Sequence, residues 1–173
     1  KLISNKRLLE IDISLRQDFP HAVIVIKPED YNQQYKKIKN LNKLLAEGHA
    51  RAIDELLASH DAEAAVSDKF GKAELVEDAL KRRKRNIALN QIVRGESIPQ
   101  VAAASILARA RFMREMNELS DKFDMEVPRG AAPKVDQAGR ELVRRYGAEV
   151  LAKVGKIHFK NYQRIVNPSL FTK

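Results

Sequence analysis

The stretch AEAAVSDKFGKAELVEDALKRRKRNIALNQIVRGES, residues 62–97, decides the fold. Ala62 to Val66 is a small apolar run that closes on Ser67-Asp68, as a short buried strand does. Gly71 opens a turn, and Lys72 to Arg85 reads as a helix. Asn86 to Val93 alternates well enough to be a second strand. Ser97 and Pro99 then start a long helix, from Gln100 to about Phe123, whose first turns are rich in alanine. Strands separated by helices make an α/β domain.

Outward from this centre the pattern continues. Ser4 caps a helix that runs to about Gln17, with Leu8, Leu9, Ile13 and Leu15 as its apolar positions. His21 to Lys27 (HAVIVIK) reads as a strand, β-branched and bounded by Pro20 and Pro28. Pro28-Glu29-Asp30 is a favourable first helical turn, and Tyr31, Tyr35 and Ile38 recur at helical spacing. Leu41 to Ser59 reads as a longer helix. On the C-terminal side, Pro128-Arg129-Gly130 is a loop. Val135–Tyr146 and Ala148–Val154 read as helices parted by Gly147, Ile157 to Val166 fits either type, and Asn167-Pro168 ends regular structure.

The chain has 173 residues, 44% of them hydrophobic and 32% charged, which favours one folded domain over a disordered chain. No apolar run approaches a membrane span, and no secretory signal precedes the first helix, so the expectation is a cytoplasmic protein with no membrane partner. With no cysteine, disulfides, cysteine-zinc sites and thiol chemistry are excluded. The net charge of +9 points to a polyanion, most often nucleic acid. Much of it lies in Gln137–Lys173, which holds eight basic and two acidic residues. A second block, Lys81 to Arg85, is five consecutive basic residues. Such a run usually forms a solvated helix end.

His21, His49, His60 and His158 are scattered without metal-ligand spacing, and nucleophile elbows and phosphate loops are absent. Carboxylates at strand ends remain. Asp68 ends one strand, and Glu96 follows the next and precedes a helix. Residue type and spacing leave two readings open. Asp68 is a good turn residue, and Glu96 sits where a helix dipole favours an acid. Equally, carboxylates at adjacent strand ends could share a hard cation such as Mg²⁺.

Ser67-Asp68-Lys69-Phe70-Gly71 and Arg94-Gly95-Glu96-Ser97, running into Val101-Ala102-Ala103-Ala104-Ser105-Ile106-Leu107-Ala108-Arg109, resemble the type 2 ribonucleases H. The bacterial ribonuclease HIII subtype, with Glu where ribonuclease HII has Asp, is the nearer match. Leu41 to Ala50, Pro128-Arg129-Gly130-Ala131 with Val135-Asp136, and His158-Phe159-Lys160 resemble further family motifs. The sequence departs from the family at several points. Lys69 replaces a Gln, and Arg94-Gly95 replaces Lys-Ala. The family's opening Gly-x-Asp-Glu-Ser-Gly-Lys-Gly motif, which carries its first two metal ligands, is absent, and Lys1-Leu2 resembles the segment that follows it.

The resemblance implies a ribonuclease H-like mixed sheet flanked by helices, without its first strands, over residues 1–166, with a tail at 167–173. It implies an endoribonuclease that hydrolyses the RNA strand of RNA/DNA hybrids with two Mg²⁺ or Mn²⁺ ions. Asp68 and Glu96 are then catalytic metal ligands, and Asn40, Asn42, Arg94, Arg109 and Arg129 contact phosphate or sugar of the substrate. The expectation is also that a preceding segment or a second chain supplies the remaining ligands, Asp54 and Asp136 being the internal alternatives. The rival expectation is a non-catalytic nucleic-acid-binding module, which the charge explains equally well.

Overall fold

The structure, a computed structural model, describes residues 3–167. Lys1-Leu2 and the tail from 168 to 173 lie outside the described residues. The helices are α1 (Asn5–Asp18), α2 (Pro28–Ile38), α3 (Leu41–Leu57), α4 (Glu74–Arg82), α5 (Pro99–Phe123), α6 (Pro133–Tyr146), α7 (Leu151–Val154) and α8 (Lys160–Val166). The strands are β1 (Ala64–Asp68) and β2 (Ala88–Ile92). Short 3₁₀ turns occupy Gly95–Ser97 and Ala148–Val150. The α/β class is as expected, with helix predominant and a small sheet. The chain forms two compact units, one of residues 3–24 and 38–112, the other of 25–37 and 113–167.

In the first unit β1 and β2 pair in parallel, from Ala64 opposite Ala88 to Asp68 opposite Ile92. The segment between them must therefore cross back along the sheet, and α4 does so. Its core is Ala46 and Ala50 of α3 against Val76, Ala79 and Leu80 of α4, with Phe70, Ile87 and Leu89 packed on it. Burying a Val or Leu here contributes about 2 kcal/mol each, and the alanines let the two helices approach closely. α3 starts at Asn40, whose side chain accepts from the Lys43 N–H, a cap worth about 1 kcal/mol. Ser4 caps α1 in the same way through the Arg7 N–H. On α1 the buried residues are Leu8 and Asp12, one helical turn apart, while Ile13 is exposed. Asp12 is fully buried and accepts from Arg16 Nε at 3.0 Å.

Three expectations need correction. β1 is not a buried strand. Ser67 is 6% exposed, whereas Val66 on the opposite face is 37% exposed, so only one face of the pleat is covered. Second, His21 to Lys27 is not a strand. Residues 21–26 are half-buried and irregular. β-branched side chains fit a pleated surface, but a strand also needs another segment's backbone to pair with, and among the described residues none does. Third, the Lys81–Arg85 block is not a freely solvated helix end. Arg82 and Arg83 pair with Glu47, and Arg83 and Arg85 with Asp54, both acids on α3. The Arg85 Nε to Asp54 Oδ1 distance is 2.6 Å. The Arg85 hydrogen bond, above all, holds the Asp54 carboxyl below its ordinary range.

In the second unit, Phe123, Leu142, Val150 and Leu151 form the core, with Leu119, Met125, Tyr162 and Ile165 around it. α6 buries Asp136, Gly139 and Leu142, spaced by three along one face. Gly139 is where α8 presses closest, because a Cβ there would overlap the Ile165 side chain.

Candidate active site

The parallel register sets Asp68 opposite Ile92, and the Lys69 N–H donates to the Ile92 carbonyl at 3.0 Å, continuing the ladder one step past β1. Beyond β2 the chain must turn sharply before α5. Arg94 makes that turn with φ 59° and ψ 46°, a left-handed conformation uncommon for a residue with a Cβ. Gly95, Glu96 and Ser97 follow as a single 3₁₀ turn, closed by the Ile98 N–H on the Gly95 carbonyl at 2.9 Å. The turn aims the Gly95 N–H at Asp68, where it donates to Oδ1 at 3.0 Å. A side chain at Gly95 would be crowded, since a Cβ would stand 3.3 Å from both Asp68 Cα and Val101 Cγ1. A Cβ here would fit only if a neighbour gave way by a few tenths of an ångström, so the close approach, not its φ, is what the glycine eases.

Asp68 thus ends β1 and Glu96 lies in the 3₁₀ turn after β2, both exposed, and the hydrogen bond from the Gly95 N–H ties Asp68 to that turn. Neither has a basic ion-pair partner among the described residues. α3 supports the same place. Asn42 lies against the turn that follows Asp68, its Nδ2 3.2 Å from where a Gly71 Cβ would be. The His49 ring rests on Phe70 with centroids 4.9 Å apart. Burial pushes the His49 pKa down, and the charge of Asp68 opposes that shift. Sequence reasoning set His49 aside as one of four scattered histidines, although it falls within the Leu41–Ala50 stretch. Lys69, Lys72, Ala73 and Glu74 line a shallow depression just past Asp68.

The other candidates divide. Arg94 is the turn residue itself and is exposed. Asn40 spends its side-chain oxygen on the α3 cap, leaving its amide NH₂ free to donate. Arg109 is exposed on α5 and reaches Asn5 Oδ1 at 3.4 Å. Arg129 is exposed in a loop of the second unit. Both internal alternatives for extra ligands are occupied. Asp54 is held by Arg83 and Arg85, and Asp136 accepts from Asn161 Nδ2 at 2.5 Å and Arg164 Nε at 2.6 Å. Among the described residues no group of three or more His, Cys, Asp or Glu is placed to hold a metal. The available donors are two exposed carboxylates, hard oxygen ligands of the kind Mg²⁺ and Mn²⁺ take.

The ribonuclease HII family model matches residues 1–162. The chain is 39% identical to ribonuclease HIII of Chlamydia felis over 167 residues, 95% of this chain and 56% of that protein. It is 41% identical to ribonuclease HIII of Chlamydia pneumoniae over 145 residues, 83% of this chain and 49% of that one. The chain therefore spans about half the length of the curated relatives it matches. Among solved structures it superposes on Bst ribonuclease HIII in complex with Mn²⁺ with a TM-score of 0.89 and 29% identity, covering 97% of this chain and 56% of that one. The strand ends that carry Asp68 and Glu96 lie inside all of these matches in extent, and the chain belongs to the ribonuclease HII family.

Proposed function

We propose that this chain carries part of the active site of an endoribonuclease that hydrolyses the RNA strand of RNA/DNA hybrids. The observation that supports it most is the bond from the Gly95 N–H to Asp68, which ties the Asp68 carboxylate to the turn that carries Glu96. Asp68 Oδ2 and the whole Glu96 carboxylate remain available as oxygen ligands, so the two residues fit a divalent metal. The Mn²⁺ complex of Bst ribonuclease HIII is consistent with that fit. When bound, two such ions supply charge stabilisation at the scissile phosphate and make water a better nucleophile near neutral pH. This chain's own residues then do the rest. Asp68 and Glu96 hold Mg²⁺ or Mn²⁺, and Gly95 fixes the Asp68 rotamer. Asn42, the Asn40 amide and Arg94 contact ribose or phosphate, and selection of RNA rests on the 2′-hydroxyl. Arg109 and Arg129 contact the backbone farther along. A cytoplasmic location, together with the nucleic acid it acts on, goes with this reading.

The test is hybrid cleavage in Mg²⁺ and in Mn²⁺, with and without chelator, by this chain and by a protein of its relatives' full length. Chelator-sensitive cleavage lost in Asp68→Asn and in Glu96→Gln supports the assignment. A non-catalytic nucleic-acid-binding module is the second reading, favoured by the +9 charge. Salt-dependent hybrid binding with no cleavage at full length would select it.

A further inference from the structure

The second unit holds a cluster of rings and cations that hybrid cleavage does not use. α2 supplies Tyr31 and Tyr35, one helical turn apart on one face. The segment from Gly155 to Phe159 lies against them, and Asn32 fixes it there. The Asn32 amide donates to the carbonyls of Ala152 at 3.1 Å and Gly155 at 2.9 Å, and its oxygen accepts from the Ile157 N–H at 3.1 Å. With the backbone so held, the His158 ring stacks on Tyr35 with centroids 3.8 Å apart and planes 17° apart. Phe159 follows at 4.3 Å from His158. The Lys156 ammonium sits 4.5 Å from the centre of the Tyr31 ring and 5.9 Å from that of Phe159.

Three features go beyond simple packing. Phe159, the outer ring, is 45% exposed although the rings beneath it are ordered by contact. Lys156 has no carboxylate partner among the described residues, and nor do the exposed Lys36 and Lys37 in the last turn of α2, or the exposed Lys153 and Lys160 three and four residues from it in the chain. The Tyr31 hydroxyl is buried without a hydrogen-bond partner in a residue only 4% exposed. Exposed ring faces beside unpaired ammonium groups suit a ligand that is both planar and anionic. Nucleotides combine the two. Paired bases are stacked within their duplex and cannot offer a face, so the matching form is an unpaired strand. Lysines here are point charges suited to a backbone phosphate.

We propose that Lys156, His158 and Phe159, seated on Tyr31 and Tyr35, form a stacking site for one unpaired nucleotide of a single-stranded nucleic acid. The base lies on the Phe159 and His158 rings, and its phosphate is met by Lys156 and Lys160. The site is independent of Asp68 and Glu96 and would bring single-stranded flanks of a hybrid, or free single strands, to the protein.

The probe is an RNA/DNA hybrid with a short single-stranded overhang containing 2-aminopurine, compared with the same hybrid made blunt. Both are titrated in chelator so that no cleavage intervenes. The wild type should bind the overhang form about tenfold more tightly than the blunt form and quench the 2-aminopurine on binding. Phe159→Leu and Lys156→Gln should each remove most of that difference while leaving blunt binding unchanged. Phe159→Tyr, which keeps a ring, should restore the quenching, and this separates a lost stack from a damaged fold. Asp68→Asn should keep the full difference between the overhang and blunt forms and the quenching, whatever it does to the binding of both, so failure of the cleavage reading leaves this result untouched. Equal binding of the two forms by the wild type, or quenching that survives Phe159→Leu, overturns the proposal.

Discussion

Asp68 and Asp136 are the same residue type in one chain, and the structure uses them in opposite ways. Asp68 is exposed at the end of β1 and takes one hydrogen bond, from a backbone N–H. Asp136 is 7% exposed on α6, and its two oxygens are taken by Asn161 and Arg164. The first is held in position but left with free coordination capacity. The second is saturated by side chains that tie α8 to α6. A carboxylate's duty is therefore set by how many donors already surround it, which residue type alone does not reveal.

The sharpest way to break this contrast is to neutralise each side. In a protein with hybrid-cleaving activity, Asp68→Asn or Glu96→Gln should lower turnover by roughly 10³-fold. The same changes should leave stability within about 0.5 kcal/mol, because neither side chain is buried. Near-normal cleavage by both variants, measured at saturating hybrid, would end the assignment. A smaller effect should come from Gly95→Val. Its branched side chain must push against the Asp68 backbone and the Val101 side chain, each 3.3 Å from the Cβ position, and a displaced ligand should lower turnover about tenfold. Gly95→Ala, the residue the family carries there, should cleave near normally, and if Gly95→Val does too, the close approach does not govern the site.

Asp136→Asn tests the other half. It should leave turnover alone and lower the thermal midpoint by roughly 5 °C. The Arg164 hydrogen bond, helped by that of Asn161, holds the Asp136 carboxyl below its ordinary 3.8. A carboxylate depressed on folding stabilises above its unfolded value and loses that contribution as pH falls through the folded one. The gap between wild type and Asp136→Asn should thus stay constant above about pH 5 and close below 3.8. A gap that widened in acid would show that Arg164 is not the partner that matters. The smallest effect belongs to Arg144 and Arg145. Both lie on Glu141, at 2.5 and 2.6 Å, and together they hold its pKa down to about 2. Changing both to Gln should alter the salt slope of hybrid binding by less than about one unit. A larger change would mean that Glu141 yields them to phosphate.

Much of this was legible in the chain. The Ser4 cap, the Pro28 and Pro99 helix starts, the strand end at Asp68 and a second strand closing near Val93 follow from local chemistry, so these elements came out within a turn or so, whereas the Asn40 cap was not read. What was hidden is what depends on distant partners. HAVIVIK advertises β propensity, but nothing local shows whether another backbone will pair with it. The basic run at Lys81–Arg85 looks solvated until α3 brings Glu47 and Asp54 across from some thirty residues away. At the site, Asp68 and Glu96 were readable as strand-end acids, and their motifs as a family signature. The bond from the Gly95 N–H to Asp68 was not readable, because it needs the left-handed turn at Arg94, a conformation that arginine's own preferences do not announce. His49 was missed for the same reason, since only the fold sets it beside Phe70.

The Tyr31–Tyr35 pair has one more consequence, for how folding can be watched. The chain has no tryptophan and four tyrosines. Tyr31, Tyr35, Tyr146 and Tyr162 all fall in the unit of residues 25–37 and 113–167. Tyrosine emission, and circular dichroism in the tyrosine band, are therefore a private channel for that unit, while the unit bearing Asp68 and Glu96, whose aromatic rings Phe19, Phe70 and Phe112 absorb at shorter wavelength, is dark in it. The amide signal of the helices covers both. Recording the two signals during one denaturant titration would give each unit its own melting curve without a label or a cut in the chain.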